Sequence, residues 1–326
     1  MQFRTEINIP NSGTRFSRTK GIITIGSCFA EVVGRKLQSV KANTLVNPFG
    51  TIFNPLSANK LIRTVVLNDT SQLEEGLVQR QDLWFHYDFH SSFHHAQPEK
   101  LIEQLRETIQ QAHEFLMHAQ AIMLTWGTAF LYERIDTGAF VANCHKVPQK
   151  SFTKRLLTIE EISEDTRQTL ELLRSHCPTL QIILTVSPVR HIKDTLPLNS
   201  VSKSILRVAA HLAQEFHPMI SYFPAYELLL DDLRDYRYYG SDLIHPSEMA
   251  EQYIWEKFIG AYADKAFASF LQRWSEVQRD LNHHPFNPDS ASHQSFLRKL
   301  LERLQQMALE ADVQEEIAMV QRQLHT

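Results

Sequence analysis

Gly21-Ile22-Ile23-Thr24-Ile25-Gly26 is a short β-branched run closed by glycine, and Val32, Val33 and Leu37 follow it at helical spacing. The pattern predicts a strand, a tight turn and a helix. Similar apolar runs recur at Thr44 to Val46, Ala121 to Trp126, Gln181 to Val186 and Met219 to Phe223. Helical patterns lie between them at Pro55 to Leu67, Pro98 to His118, Thr158 to His176 and Val201 to His217. Strands that alternate with helices pair in parallel through crossovers, so the core is expected to be an open sheet with helices on both faces. Ligands on such sheets bind beyond the carboxyl ends of the strands, which makes each strand-to-helix junction a place to look for chemistry.

Two stretches interrupt the alternation. Gly76 to His95 places Leu83, Phe85, Tyr87 and Phe89 at every second residue, and Phe130 to Val141 carries the turn signal Asp136-Thr137-Gly138. Both read as inserted hairpins. After Tyr253 the chain is mostly helical, with the loop Asn282 to Pro288 separating a helix over Ala261 to Leu281 from a last one near His293 to Leu324. The division expected is an α/β domain over residues 1–281 and a loop and helix extension over residues 282–326. The last helix repeats Leu297, Leu300, Leu301 and Leu304, then Met307 and Ala308, so that stripe must be covered. Packing back on the sheet domain is the favoured reading, and a homodimer through this helix is the alternative to a monomer.

Composition narrows the classes of partner. With 43% apolar residues in 326, the chain can bury a substantial core, and disorder as a whole is excluded. Thirty-three Lys and Arg against 37 Asp and Glu leave a formal charge of −4, so there is no basic field for nucleic acid. Three cysteines are an odd and sparse set, which argues for a reducing compartment and against a disulfide framework. Met1 to Ser12 has no apolar core of signal-peptide length, and no run approaches the ~20 apolar residues of a membrane span. A soluble cytoplasmic protein is the expectation.

The first chemical candidate is Gly26-Ser27-Cys28-Phe29, where a strand ends and a helix begins. Cys28 would stand at the helix N-terminus facing the crevice, and the partial positive charge there favours the thiolate. Ser27 is expected to turn toward its own backbone as a cap. The alternative is a buried packing cysteine with Ser27 as the nucleophile. The second candidate is Asp242-Leu243-Ile244-His245-Pro246. A carboxylate three residues before a histidine in a loop can orient the imidazole through one ring nitrogen and leave the other to deprotonate a nucleophile.

Together these motifs resemble the SGNH or GDSL superfamily of esterases and acyltransferases. Gly26-Ser27-Cys28-Phe29-Ala30 spells the name of its GSCFA branch. The likeness runs on through Asn47-Pro48-Phe49-Gly50, Asp88-Phe89-His90-Ser91, Trp126-Gly127-Thr128-Ala129, Asn143-Cys144-His145-Lys146, Ser187-Pro188-Val189-Arg190-His191 and Pro285-Phe286-Asn287-Pro288. The resemblance implies a three-layer α/β/α, flavodoxin-like SGNH hydrolase fold with no cofactor and no metal. It places Cys28 at the nucleophile, Asp242 and His245 at the rest of a triad, and the Gly50 N–H in the oxyanion hole. It also exposes a departure: Ala129 stands where the superfamily has an asparagine, and one such donor is worth ~10²–10³ in rate.

Asn143 and His145 are candidates to rebuild the hole, with a turn and an exposed loop as their bland alternatives. His90 falls in a family motif and is expected near the crevice. Arg190, at the end of the fourth core strand, suits a substrate carboxylate or phosphate, or else a structural salt bridge. The implied function is an esterase or O-acyltransferase that uses Cys28 on a small-molecule or carbohydrate acyl substrate. A non-catalytic ligand-binding protein on the same scaffold is the alternative.

Overall fold

The structure is a computed structural model that describes residues 4–9 and 15–324. Of the segment Met1 to Ser12, residues 1–3 and 10–12 lie outside the described residues. The elements run β1 (Gly21–Gly26), α1 (Cys28–Ser39), β2 (Thr44–Val46), α2 (Pro55–Leu67), β3 (Leu77–Arg80), β4 (Leu83–His86), α3 (Pro98–His118) and β5 (Ala119–Trp126). They continue with β6 (Phe130–Arg134), β7 (Phe140–Val141), β8 (Phe152–Leu156), α4 (Ile159–His176), β9 (Gln181–Val186), α5 (Leu196–Phe216), β10 (Ile220–Phe223) and the single turn α6 (Ala225–Glu227). Four helices end the chain: α7 (Glu248–Tyr262), α8 (Lys265–Leu281), α9 (Ala291–Met307) and α10 (Gln314–Gln321).

Five strands form one parallel sheet in the order β10-β9-β5-β1-β2. The chain starts in the interior, steps outward to β2 and then returns past β1 to β5, so the strand order reverses beside β1. All six residues of β1 are buried, as a strand covered on both faces requires. Its side chains alternate: Ile23 and Ile25 join a core with α2, α3, α4 and α5, while Ile22 joins one with α1, α7, α8 and α9. The result is the expected three-layer α/β/α fold.

Local chemistry sets the helix ends. Asn54 accepts the Ser57 N–H ahead of Pro55 at the start of α2, and Thr158 with Glu161 closes a capping box at α4. Asn68 ends α2 in the left-handed region, at φ 49°.

Both inserted hairpins form. β3 pairs antiparallel with β4, and β6 with β7. The second gains a strand that the sequence reading missed, because β8 pairs along the other edge of β6. The last helix is also corrected: it is two, with a break over residues 308–313 between α9 and α10. Its stripe is covered within this chain, since Leu297, Leu300, Leu304 and Met307 are buried in the same cluster as Phe16, Phe267, Trp274 and Val320. Among the described residues no helix is long and apolar enough to cross a membrane.

Candidate active site

β1 ends at Gly26 with φ +138°, where a Cβ would lie 2.1 Å from the Thr125 carbonyl oxygen. Only glycine fits so close to the neighbouring strand. The Gly26 N–H donates to Asn47 Oδ1 at 3.0 Å, and its carbonyl accepts from the Ile52 N–H at 2.9 Å. The Ser27 N–H donates to the Thr125 carbonyl at 3.0 Å. The chain then turns into α1, with Cys28 as its first residue.

Cys28 is half-buried, and burial raises its thiol pKa above the ordinary value. Its own backbone N–H and the Thr51 hydroxyl pull the other way, while Glu31 adds to the rise. This reverses the expectation of a resting thiolate: the helix end lowers the pKa, but desolvation outweighs it. Ser27 also departs from expectation, since its hydroxyl makes no cap bond and is buried without a partner among the described residues. A thiol of this kind has a testable profile. Alkylation of Cys28 by iodoacetamide is expected to rise about tenfold per pH unit from neutral to at least pH ~9. A rate independent of pH between about 6 and 8 would instead mean a preformed thiolate–imidazolium pair.

Asp242 and His245 are paired as the motif predicts. Asp242 Oδ2 lies 2.7 Å from His245 Nδ1, and Oδ1 accepts the Ile244 and His245 N–H groups at 2.9 and 3.1 Å. These bonds, the one to His245 foremost, hold the Asp242 carboxyl down at about 2. The pairing occupies Nδ1 and leaves Nε2 for proton transfer. The loop is closed on itself by the Gly240 N–H on the His245 carbonyl at 2.8 Å, and Ser247 then caps α7.

Arg190 ties this loop to the end of β9. Its N–H donates to the Ile244 carbonyl at 3.2 Å, and its guanidinium lies 3.8 Å over the Tyr239 ring. The side chain therefore fastens the Asp–His loop, and it makes no ion pair among the described residues. Next to it, His191 reaches back over Gly127 at the end of β5: a Cβ on Gly127 would lie 3.3 Å from His191 Nε2 and 3.1 Å from Ser27 Cβ. The Asp–His loop, the β9 end, the β5 end and the Cys28 turn are thus linked in series along the carboxyl edge.

Lys203 braces this edge from beneath. Fully buried on α5, its amine donates to the Gly127 and Ser187 carbonyls, both at 2.7 Å, and burial lowers its pKa to about 7.

Several expected donors are committed elsewhere. The Gly50 N–H donates to the Asn47 carbonyl at 2.7 Å, closing the Asn47-Pro48-Phe49-Gly50 turn, so it faces inward. Gly50 itself, at φ +72°, is needed because a Cβ there would sit 2.3 Å from the His90 Cβ. His90 donates its N–H to the Phe49 carbonyl at 3.1 Å, so it buttresses this turn. Asn143 makes the local turn of its bland alternative, with Oδ1 accepting the His145 N–H at 2.9 Å. His145 is buried, not an exposed loop residue; it stacks on Phe85 and its Nε2 lies 2.8 Å from the His86 carbonyl. The hydrogen bonds of Asn143 and His145 fall within the two hairpins, which join where the Ala142 and Asn143 N–H groups reach the Tyr87 carbonyl. Thr51, His191 and Lys203 are the residues that sequence motifs did not assign.

The fold and these turns define an α/β protein with its candidate chemistry at the strand order reversal. The chain belongs to the GSCFA family: the model described as "GSCFA family" matches residues 21–258, and "GSCFA domain protein, C-terminal domain" matches residues 274–326. No curated protein matches the chain. Among solved structures, the chain is similar to a carbohydrate esterase family 2 enzyme with a carbohydrate binding domain from Corynascus thermopiles (Myceliophthora fergusii). That similarity is 13% identity over 79% of this chain and 68% of that one, at a TM-score of 0.39. It is also similar to an acetyl xylan esterase from Butyrivibrio proteoclasticus, at 12% identity over 75% of this chain and 64% of that one, with a TM-score of 0.39.

Proposed function

We propose that this chain is an acyl-transfer enzyme, an esterase or O-acyltransferase, in which Cys28 attacks an ester carbonyl. His245 takes the thiol proton and returns it to the leaving alcohol, and Asp242 orients and stabilises the imidazole. The observation that carries this reading is the 2.7 Å contact of Asp242 Oδ2 with His245 Nδ1, on a loop fastened to the end of β9, on the same carboxyl edge of the sheet as the Cys28 turn and separated from it by β5. A raised thiol pKa fits a nucleophile that loses its proton during attack, not before it. The backbone N–H of Cys28, in the first turn of α1, is one oxyanion donor. Acylated carbohydrate is the proposed substrate class, with water or a sugar hydroxyl as acceptor.

Asp242→Asn tests the reading with p-nitrophenyl acetate as substrate. The amide keeps the loop geometry but no longer stabilises the imidazolium, so kcat is expected to fall by about 10³–10⁴. A variant within about threefold of wild type would refute the triad.

A further inference from the structure

His191 combines burial with an unpartnered ring nitrogen at the end of β9. Its Nε2 is buried and has no hydrogen-bond partner among the described residues, although buried polar atoms are nearly always satisfied. The ring is held from two sides. Its backbone N–H donates to Asn199 Oδ1 at 2.9 Å, and its plane meets Phe53 edge-on, with centroids 5.5 Å apart. The Phe53 carbonyl in turn accepts the Gly127 and Thr128 N–H groups at 2.8 and 3.1 Å. The imidazole is therefore fixed above the bare Gly127 Cα, with Ser27, the residue before Cys28, on the other side of a gap that any side chain at 127 would fill.

Two residues after Gly127, Ala129 is fully buried, and its N–H is used by the Ser202 hydroxyl at 2.8 Å. Ala129 therefore offers no donor at the β5 end, whereas the unpartnered ring nitrogen of His191 lies against Gly127 there from the β9 end.

We propose that His191 is a catalytic residue whose Nε2–H donates a hydrogen bond to the oxyanion formed when Cys28 attacks. The inference rests on the acyl-transfer reading above. As the sulfur–carbon bond forms, the carbonyl π pair settles on oxygen while the thiol proton passes to His245. His191 holds that oxygen without giving up its proton. Collapse then restores the carbonyl and breaks the carbon–oxygen bond, and the alkoxide leaves with the proton from His245. The role requires a neutral imidazole, because one that titrated near neutrality would compete for the thiol proton. Burial first, then Lys203 and His245, push the His191 pKa down to about 3.

The test compares acylation by p-nitrophenyl acetate with alkylation by iodoacetamide, since alkylation develops no oxyanion. His191→Ala is expected to slow acylation about 10²–10³-fold through kcat, with KM and the alkylation rate within about threefold of wild type. His191→Gln, which keeps a side-chain N–H, is expected to recover part of the loss, and His191→Phe none. Acylation of His191→Ala within about threefold of wild type overturns the inference and leaves the Cys28 reading standing. Equal losses of acylation and alkylation also overturn it, because the ring would then act on the thiol or the fold. If wild type forms no Cys28 adduct, the reading itself fails and takes this inference with it.

Discussion

Cys28→Ala is expected to lower turnover of p-nitrophenyl acetate by at least about 10⁴-fold, the scale set by deleting a nucleophile that works with a base as a unit. Ser27→Ala is expected to stay within about tenfold of wild type. The two neighbours differ in what surrounds them. Cys28 is part-exposed, touches the Thr51 hydroxyl and begins α1, whereas Ser27 is 1% exposed and turned into the protein beside Gly127. Of the two side chains, that of Cys28 is the more accessible to an incoming substrate. The opposite ranking of the two variants would identify Ser27 as the nucleophile.

Lys203→Met is expected to destabilise the fold by about 2–4 kcal/mol, because it strands the Gly127 and Ser187 carbonyls that the amine now satisfies. The pH dependence has a definite sign. The folded pKa is about 7, below the 10.5 of an unperturbed lysine, so between those values the unfolded chain binds a proton that the folded chain does not. Wild-type stability contributed by this group is complete above the unfolded pKa and is lost as pH falls toward 7. The methionine variant has no such proton. Its deficit should therefore grow from pH ~7 to pH ~9, by at most about 1.4 kcal/mol per unit. Urea unfolding of both proteins at the two pH values measures this, and a deficit that shrinks with rising pH would contradict it.

The sheet was legible because each core strand is an unbroken apolar run bounded by caps and turns, as at Gly21–Gly26 and Gln181–Val186. β8 was not, because Phe152–Leu156 carries exposed Thr153 and Lys154, and its partner strand lies some twenty residues earlier in the chain. The break between α9 and α10 escaped notice for a related reason, since Leu309 and Ala311 keep the apolar count while pointing to solvent or packing irregularly.

In the site, the Asp242–His245 pairing follows from a spacing of three residues within one loop. Such a contact needs no knowledge of the rest of the fold. The direction of the Cys28 pKa shift does, because it depends on how much of the molecule covers the thiol. The Gly50 N–H is a similar case: its sequence marks a turn, but only the turn's geometry shows that the N–H closes on Asn47. His191 stands in the Ser187–His191 motif but nothing in that motif gives it a role, and Lys203 carries no signal in the sequence. A lysine in an amphipathic helix ordinarily reaches water, and only the approach of two strand ends makes it a buried donor.

Intact-mass measurement after a brief exposure to p-nitrophenyl acetate, with peptide mapping of the product, bears most directly on the acyl-transfer reading. The prediction is a single acetyl adduct on the peptide containing Cys28, present in wild type, retained in Ser27→Ala and absent in Cys28→Ala. An adduct that persists in Cys28→Ala, or a wild-type protein that acquires none, would contradict it.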